Sequence, residues 1–328
     1  MSTTTPTPTA STTVPAGQTR PVGVFGGTCD ALFTVDEVSA AVGAVVTSSE
    51  RARAVSLVLD PSWAAVPARG GIDCLWSENE SLTGAYFSAV VLAAASVTTV
   101  HADEVYCYGA DVVDPAQSGS CRVSATDGGY WLSAVVYTAV GTINDDTRTA
   151  VATLLTTFSG RARAAGTPVA VVTPSGAWKR EDCAALSDTA HVTDAISSPG
   201  LTVSSADTAS GEAAEGRYAA LGSAGVFACS WSQSQSPAPA GQIESFSIIL
   251  LPGGSWAQED VARETGAETV SIPGVDLVTR IPNEAGGYTF DAFDGVNWLR
   301  LSTNASTESD LDQLTPAIPA LVNALNAA

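Results

Sequence analysis

The feature that most constrains how this chain can fold is an internal repeat built around cysteine and tryptophan. Three motifs occur twice in the same order, namely Cys-x-x-Leu at Cys29 and Cys183, Cys-x-Trp at Cys74 and Cys229, and Asp-Gly-x-x-Trp-Leu at Asp127 and Asp294. The first two pairs are separated by 154 and 155 residues and the third by 167. Self-similarity at a nearly constant offset indicates two copies of one structural unit.

The repeat predicts the domain organisation. We expect a first unit at 24–166, a linker at 167–173 and a second unit at 174–328. Residues 1–23 are rich in Thr, Ser and Pro and lack apolar periodicity, so we expect a disordered tether ahead of the first unit. The length of 328 residues is that expected for about two domains.

Six cysteines without a Cys-x-x-Cys pair favour disulfides over a zinc or thioredoxin-type site. The repeat makes two pairs equivalent, and the two cysteines without a counterpart pair most simply with each other. The predicted bridges are therefore Cys29–Cys74, Cys183–Cys229 and Cys107–Cys121. Disulfides persist in oxidising compartments, so this pattern favours an extracellular protein, with free buried thiols as the alternative.

Each unit has the element pattern of an α+β fold, with an antiparallel sheet packed by helices. The predicted strands are 72–77, 85–95, 121–126, 130–137, 226–232, 244–251, 288–293 and 297–302. The predicted helices are 34–42, 144–165, 184–196, 255–266 and 310–325. The helix at 255–266 is expected to begin with a Ser255–Gln258 capping box and to end at Gly266. Two prolines should bend or delay the helix at 310–325.

The tryptophan positions argue against an immunoglobulin sandwich. That fold places its tryptophan between the two cysteines, whereas Trp76 and Trp231 each follow the second cysteine of their unit by two residues. We expect both side chains to cover their disulfides inside the core.

Composition and charge narrow the classes of function. The chain carries 34 acidic and 14 basic residues, a net charge of −20, which repels phosphate backbones and makes nucleic acid an improbable partner. The longest unbroken apolar run, Ala89–Ala95, is much shorter than the roughly 20 residues of a transmembrane helix. Only two histidines and no His-Glu-x-x-His or Gly-x-Ser-x-Gly motif are present, so we expect no metal, no cofactor and no catalytic residue.

The run from Cys29 to Gly43, Cys-Asp-Ala-Leu-Phe-Thr-Val-Asp-Glu-Val-Ser-Ala-Ala-Val-Gly, is followed some 30 residues later by Cys-Leu-Trp at 74–76. This pattern resembles a family of uncharacterised secreted lipoproteins from high-GC Gram-positive bacteria. The likeness covers about 50 residues of each unit, and the second unit departs from it because Cys183-Ala-Ala-Leu lacks the Thr-x-Asp-Glu helix start. The resemblance implies export, a disulfide between the two motif cysteines and a compact α+β fold, but no reaction and no catalytic residues.

The N-terminus bears on localisation. No basic start and apolar centre of a signal peptide is present, yet Thr/Pro tethers commonly follow the cleavage site of an exported protein. We expect that Met1 replaces a removed leader, with a lipid-modified cysteine as the one link to a membrane. An ordinary disordered cytosolic tail is the alternative.

Aromatic residues without a partner in the other unit are the candidate ligand contacts, because such side chains on loops can stack on sugar rings or anchor a partner. They are Trp63, Tyr106, Tyr108, Trp178 and Trp256. Trp178 is preferred because it lies at the joint, and clefts between domains often hold ligands. Burial in the core is the alternative for each of them.

The sequence favours a monomeric, non-enzymatic, cell-surface-tethered binding protein for an envelope or extracellular protein, glycan or lipid. A second hypothesis is an exported hydrolase or hydrolase accessory with a site near His101 or His191, each of which has acidic neighbours in the sequence. A third is a structural spacer.

Overall fold

The computed structural model describes residues 19–50, 59–79, 84–108, 119–138, 143–179, 182–206, 215–234, 238–239, 241–283, 286–304 and 307–328. Within these ranges the chain has a mixed α+β fold with two antiparallel sheets packed by helices. Most of the predicted tether, residues 1–18, lies outside the described residues. No helix in the described ranges is both long and apolar enough to cross a membrane.

The first unit contains a six-stranded sheet in the order β1-β2-β3-β6-β5-β4. Its strands are β1 (Thr47–Glu50), β2 (Ile72–Ser77), β3 (Tyr86–Ala93), β4 (Glu104–Tyr108), β5 (Ser120–Asp127) and β6 (Tyr130–Tyr137). Its helices are α1 (Cys29–Leu32), α2 (Val35–Val42), α3 (Ala65–Ala68) and α4 (Asp145–Ala165).

The second unit contains a seven-stranded sheet in the order β7-β8-β9-β13-β12-β11-β10. Its strands are β7 (Leu201–Ala206), β8 (Phe227–Gln233), β9 (Ser245–Leu251), β10 (Glu268–Val270), β11 (Leu277–Pro282), β12 (Tyr288–Phe293) and β13 (Trp298–Thr303). Its helices are α5 (Cys183–Ala190), α6 (Val192–Ala195), α7 (Glu215–Ala224), α8 (Gln258–Val261), α9 (Glu308–Leu314) and α10 (Ala317–Ala327). The two sheets share one strand order, and the second adds β10 at its edge.

Local sequence explains where the first long helices begin and end. Thr34 caps α2 through a hydrogen bond that its hydroxyl accepts from the Glu37 N–H, and the Glu37 carboxylate accepts one from the Thr34 N–H in return. Gly43 ends the helix at φ 73°, a conformation that glycine adopts without steric cost. Asn144 caps α4 in the same way as Thr34, by accepting a hydrogen bond from the Thr147 N–H.

Three predicted helices of the second unit differ from the structure. The capping box at Ser255 was a wrong prediction, because the Ser255 hydroxyl donates instead to the carbonyl of Gly295 and only a 3₁₀ turn and the single-turn α8 form. The helix predicted at 184–196 is interrupted at His191, which has φ 46°. The closing helix is divided at Pro316, since proline lacks the N–H that would continue α9.

All three predicted disulfides are present: Cys29–Cys74, Cys183–Cys229 and Cys107–Cys121. The bridges Cys29–Cys74 and Cys183–Cys229 have the same Cα–Cα distance of 5.6 Å. Each of them links the first α-helix of its unit to the second strand of its sheet. Trp76 and Trp231 are fully buried in the cores that contain these bridges, as predicted.

Each sheet has an outer core on one face, formed with the long helices of its own unit. A third core lies between the sheets and draws residues from both units, with α3 and α7 in contact with each other inside it. Successive side chains of β3 point alternately into the two cores. Ala89 and Val91 face the outer core of the first unit, and Val90 and Leu92 face the shared core. A strand covered on both faces reads as a continuous apolar run.

Helix α7 approaches the first sheet closely because it carries a glycine. A Cβ on Gly216 would lie 3.0 Å from side-chain atoms of Val90 and Ser133, and the Gly216 N–H donates a 3.0 Å hydrogen bond to the Ser133 hydroxyl. The shared core therefore brings the neighbouring residue, Arg217, against the first unit.

Candidate functional site

A cleft of about 530 Å³ lies between the two units. Residues 20–23, just ahead of the first unit, line it together with Trp63 and the start of β2 of that unit. The second unit contributes Trp256, Asp260, Arg263 and Glu264. This volume lies within the range of about 300–1,000 Å³ that is typical of small-molecule sites. Two of the five predicted ligand contacts, Trp63 and Trp256, are thereby brought together from positions 193 residues apart.

Trp63 is held by a turn that its own sequence encodes. The Asp60 side chain accepts hydrogen bonds from the N–H groups of Ser62 at 2.7 Å and Trp63 at 3.2 Å, as expected for an Asp-Pro turn. The guanidinium of Arg217 lies 3.5 Å from the centre of the Trp63 ring. This ring therefore has a fixed orientation at the cleft wall.

Trp256 reaches the cleft from the 3₁₀ turn that replaces the predicted helix. Ser255 anchors that turn to the hairpin of β12 and β13, because its hydroxyl donates to Gly295 and its N–H to Val296. The Trp256 side chain packs in the shared core and is 9% exposed, and the guanidinium of Arg20 lies 5.5 Å from its ring centre.

An ion pair between the units lies behind Trp63. Arg217 of α7 donates to the Asp73 Oδ2 through Nε at 3.1 Å and also through Nη2. The two side chains are 7% and 8% exposed, so the pair is almost fully removed from water. A buried charge that loses its partner is costly, and this pair therefore fixes how the two units meet at the cleft.

Two buried polar atoms of residues lining the cleft have no hydrogen-bond partner in the described part of the chain. They are the Asp73 Oδ1, an acceptor, and the Trp256 Nε1, a donor. The Trp76 Nε1 shares this property but belongs to the outer core of the first unit. An unsatisfied buried group costs about 1–3 kcal/mol, and because these atoms are shielded from solvent the cost is borne by the packing around the cleft.

Several other charged residues of the cleft have contacts within the protein. Arg263 pairs with Asp260 at 3.0 Å and with Glu259 at 2.9 Å. Glu264 accepts a 3.3 Å hydrogen bond from the Leu59 N–H, which is a further contact between the units.

Arg300 of β13 is a buried arginine near this region. It donates to both oxygens of Asp291, at 2.7 and 2.8 Å. Burial acts to lower the pKa of Arg300, but the negative charges of Asp291, Asp60 and Glu264 outweigh it and the pKa is raised. Arg300 therefore stays charged and pairs with Asp291.

The other predicted contacts lie elsewhere. Trp178, the preferred candidate, is 5% exposed in the outer core of the second unit, and its Nε1 donates to Asn326 at 2.7 Å. Tyr106 is half-exposed on β4 and lines a smaller cavity of about 260 Å³ with Arg122 and Glu215. The side chain of Tyr108 lies outside the described residues.

The two histidines differ in their surroundings. His101 stacks on Trp131, and its Nδ1 lies 3.3 Å from the Glu215 Oε2 of the second unit. The nearby Ser124 hydroxyl donates to the backbone carbonyl of His101, so Ser124 is not oriented as a nucleophile for this imidazole. His191 is exposed at the break between α5 and α6.

Among the described residues, no three His, Cys, Asp or Glu side chains cluster closely enough to hold a metal ion.

Sequence reasoning missed Arg20, Asp73, Arg217 and Glu264. One signal was available, since Asp73 is the one charged residue in the predicted strand Ile72–Ser77, where it stands among apolar neighbours. Buried charges in strands need partners, but the partner lies 144 residues away on a helix that the sequence did not predict.

Comparison of the chain with protein-family models, with curated proteins and with solved structures finds no match. The geometry of the cleft is therefore the basis for a functional assignment.

Proposed function

We propose that this protein is a non-enzymatic extracellular binding protein that holds a ligand of the cell envelope in the cleft between its units. The observation that carries the proposal is the convergence of Trp63 and Trp256, from different units, on one cleft of about 530 Å³ that charged side chains also line. Ligand sites often lie between domains and combine aromatic walls with a few placed polar groups.

Three disulfides suggest an oxidising, extracellular environment. We further propose that the segment ahead of the first unit attaches the protein to the cell surface, as the resemblance to secreted lipoproteins implies. Surface attachment would place the cleft next to envelope components.

A hydrolase is the second candidate, and the contact between His101 and Glu215 is the observation that favours it. A carboxylate beside imidazole Nδ1 can orient a general base. The arrangement is weaker support than the cleft, because Ser124 donates to the backbone and the imidazole is half-exposed. Hydrolysis of an ester or glycoside panel that is lost in His101→Ala would favour this alternative.

The test is isothermal titration calorimetry with three classes of soluble probe: neutral oligosaccharides, short peptides and single-chain phospholipids. Val22 lines the cleft and is 88% exposed, so Val22→Trp places bulk at the rim without disturbing a core. Val169 is equally exposed, lies outside the lining of the cleft, and makes Val169→Trp the matched control.

We expect at least one class to bind, with affinity reduced by Val22→Trp and unchanged by Val169→Trp. Binding that Val22→Trp does not weaken would show that the cleft is not the site. A lack of binding across all three classes would contradict the proposal and favour the spacer hypothesis.

A further inference from the structure

We infer that the ligand of the cleft is a basic peptide segment whose arginine side chain takes the place that the chain's own Arg20 occupies over Trp256. This inference rests on the proposed function, since it names the ligand class of the same cleft. Three observations lead to it: a segment of the chain already seated in the cleft, guanidinium groups on both indole rings, and the charge of the lining.

The first observation concerns residues 19–21, which lie just ahead of the first unit and outside any helix or strand. Pro21 and Trp256 each line both the cleft and a neighbouring cavity of about 320 Å³ at the boundary of the units. Arg20 precedes a proline, which favours an extended backbone at that residue. The chain therefore places a short stretch of its own backbone where the two cavities meet.

This segment is held weakly. Among the described residues, Arg20 contacts the Trp256 ring, 5.5 Å from its centre, and forms no ion pair or hydrogen bond. Within the same part of the chain, the first backbone hydrogen bond runs from the Val24 N–H to the Gly70 carbonyl at 2.9 Å. An exposed cation–π contact is a weak interaction. Residues 19–21 can therefore leave the cleft while the chain stays anchored at Val24.

The second observation is that each indole of the cleft carries a guanidinium group. Arg217 lies over Trp63 at 3.5 Å and Arg20 over Trp256 at 5.5 Å from the ring centres. The guanidinium is planar and weakly hydrated, and it stacks readily on aromatic faces. Arg217 is buried and paired with Asp73, whereas Arg20 is exposed. The Trp256 ring is therefore where a guanidinium from another chain can replace the internal one.

The third observation is the charge of the lining. Among its described residues, four carboxylates stand against two arginines, namely Glu50, Asp73, Asp260 and Glu264 against Arg20 and Arg263. Arg263 is shared by two carboxylates, and Glu264 accepts from a neutral N–H, that of Leu59. When Arg20 leaves, one arginine remains in the lining. A cationic side chain restores the balance, whereas an anionic ligand approaches against the field of a chain with net charge −20.

The space around Arg20 favours a peptide over a small free cation. The cavities that share Pro21 and Trp256 measure about 530 and 320 Å³. A guanidinium alone would fill a small part of this space, whereas several linked residues that carry it would occupy both cavities. The backbone of the ligand would then follow the boundary of the units as residues 19–21 do.

The experiment uses a copy of the internal segment as its probe. The probes have blocked ends and are the tetrapeptide Thr-Arg-Pro-Val, which copies residues 19–22, the same peptide with citrulline for arginine, and N-acetylarginine amide. Citrulline keeps the shape of arginine without its charge. Titration of the ¹⁵N-labelled full chain is followed through the indole N–H signals, with that of Trp256 assigned by its loss in Trp256→Phe.

We expect the arginine tetrapeptide to bind about fivefold or more tightly than either other probe. The citrulline peptide lacks the cation that stacks on Trp256, and the free amide lacks the neighbouring residues.

Arg20→Ala tests the exchange itself, because it removes the internal competitor. The apparent affinity of a ligand falls with the fraction of molecules whose site is open, so the arginine tetrapeptide should bind this variant about threefold or more tightly than wild type. Arg148→Ala is the matched control. Arg148 is also an exposed arginine, but it lies on α4 outside the lining of the cleft, and its loss changes the net charge equally. Its variant should bind as wild type does.

The outcomes separate the inference from the proposed function. Binding of neutral oligosaccharides or phospholipids at the cleft, without binding of the arginine tetrapeptide, would overturn the inference and leave the proposed function standing. Equal affinity for the citrulline peptide or for N-acetylarginine amide, or equal affinity of Arg20→Ala and wild type, would also overturn it. If no probe of any class binds, both fail.

Discussion

At the scale of single residues, the cleft depends on charges that are buried and matched between the units. Asp73 lies in β2 of the first sheet and Arg217 in α7 of the second unit, and the guanidinium contacts both the carboxylate and the Trp63 ring. One residue thus neutralises a buried charge and orients an aromatic wall. This coupling makes the pair the most informative place to perturb.

Arg217→Met should destabilise the protein by about 3–5 kcal/mol, because it leaves the Asp73 carboxylate buried without its partner. The double variant Asp73→Asn/Arg217→Met should recover much of this loss, since no uncompensated charge remains. Urea denaturation followed by tryptophan fluorescence gives the free energies of unfolding.

Arg263→Met provides the contrast for this prediction. Its guanidinium is 68% exposed, so loss of its ion pairs should cost less than about 1 kcal/mol. Equal losses in Arg217→Met and Arg263→Met would mean that burial does not control the strength of the pair.

Glu37 gives a prediction for pH dependence. Burial acts to raise the pKa of Glu37, but the hydrogen bond from the Thr34 N–H and the Arg161 guanidinium outweigh it and lower the pKa below 4.5. A lowered pKa in the folded state means that the carboxylate stabilises the protein above pH 4.5 and that this stabilisation is lost as the pH falls through the folded-state pKa.

The expected result is that wild type is more stable than Glu37→Gln near neutral pH and that the difference shrinks on acidification. Urea denaturation of both proteins between about pH 6 and pH 3 measures this difference. A difference that stays constant or grows as the pH falls would contradict the assignment.

At the scale of secondary-structure elements, local sequence patterns were sufficient to predict most central strands of each unit. β2, β6 and β12 have the predicted bounds, because alternation of apolar residues and an Asp-Gly turn are local signals. The edge strands β1, β4, β7 and β10 and the strand β11 were not predicted. Edge strands are short and half-exposed, so their patterns are weak.

Removal of the Cys29–Cys74 bridge in a Cys29→Ala/Cys74→Ala double variant should cost about 4 kcal/mol in the chain-entropy model, in which the cost depends on loop length. The Cys183–Cys229 bridge closes a loop longer by one residue, so its removal should cost the same within error. Removal of the Cys107–Cys121 bridge, with its separation of 14 residues, should cost about 1 kcal/mol less. Thermal or urea denaturation of the three double variants gives the comparison, and a reversed order would contradict this account.

At the scale of the whole molecule, the shared core joins the two units into one folding entity. Trp131 of the first sheet and Trp298 of the second are both fully buried in it, with Leu221 of α7 between the sheets. Neither unit alone could bury this surface. The cleft exists because the units are held together by it.

We therefore expect the chain to unfold in a single transition in differential scanning calorimetry, with calorimetric and van't Hoff enthalpies that agree. Leu221→Ala should lower the stability of that one transition by about 2–5 kcal/mol, since it opens a cavity in the shared core. Two resolved transitions in wild type, or a change confined to half of the unfolding enthalpy in Leu221→Ala, would show that the units fold separately.

The α+β class, the disulfide pairing, most central strands and the burial of Trp76 and Trp231 could all be predicted from the sequence. These properties follow from residue spacing within each unit, because periodicity and turn chemistry act over short distances along the chain. The sequence also named Trp63 and Trp256 as candidate contacts, but it preferred Trp178.

Which aromatic residues share a site depends on how the two units pack, and this could not be predicted from the sequence. Helix α7 contains two glycines and has little amphipathic pattern, so the sequence did not predict it, yet it carries the Arg217 that pairs with Asp73. Where two units meet depends on the shapes of their faces and on contacts between residues more than 100 positions apart. No local pattern records such contacts, and for that reason the cleft and its ligand chemistry emerge only from the folded chain.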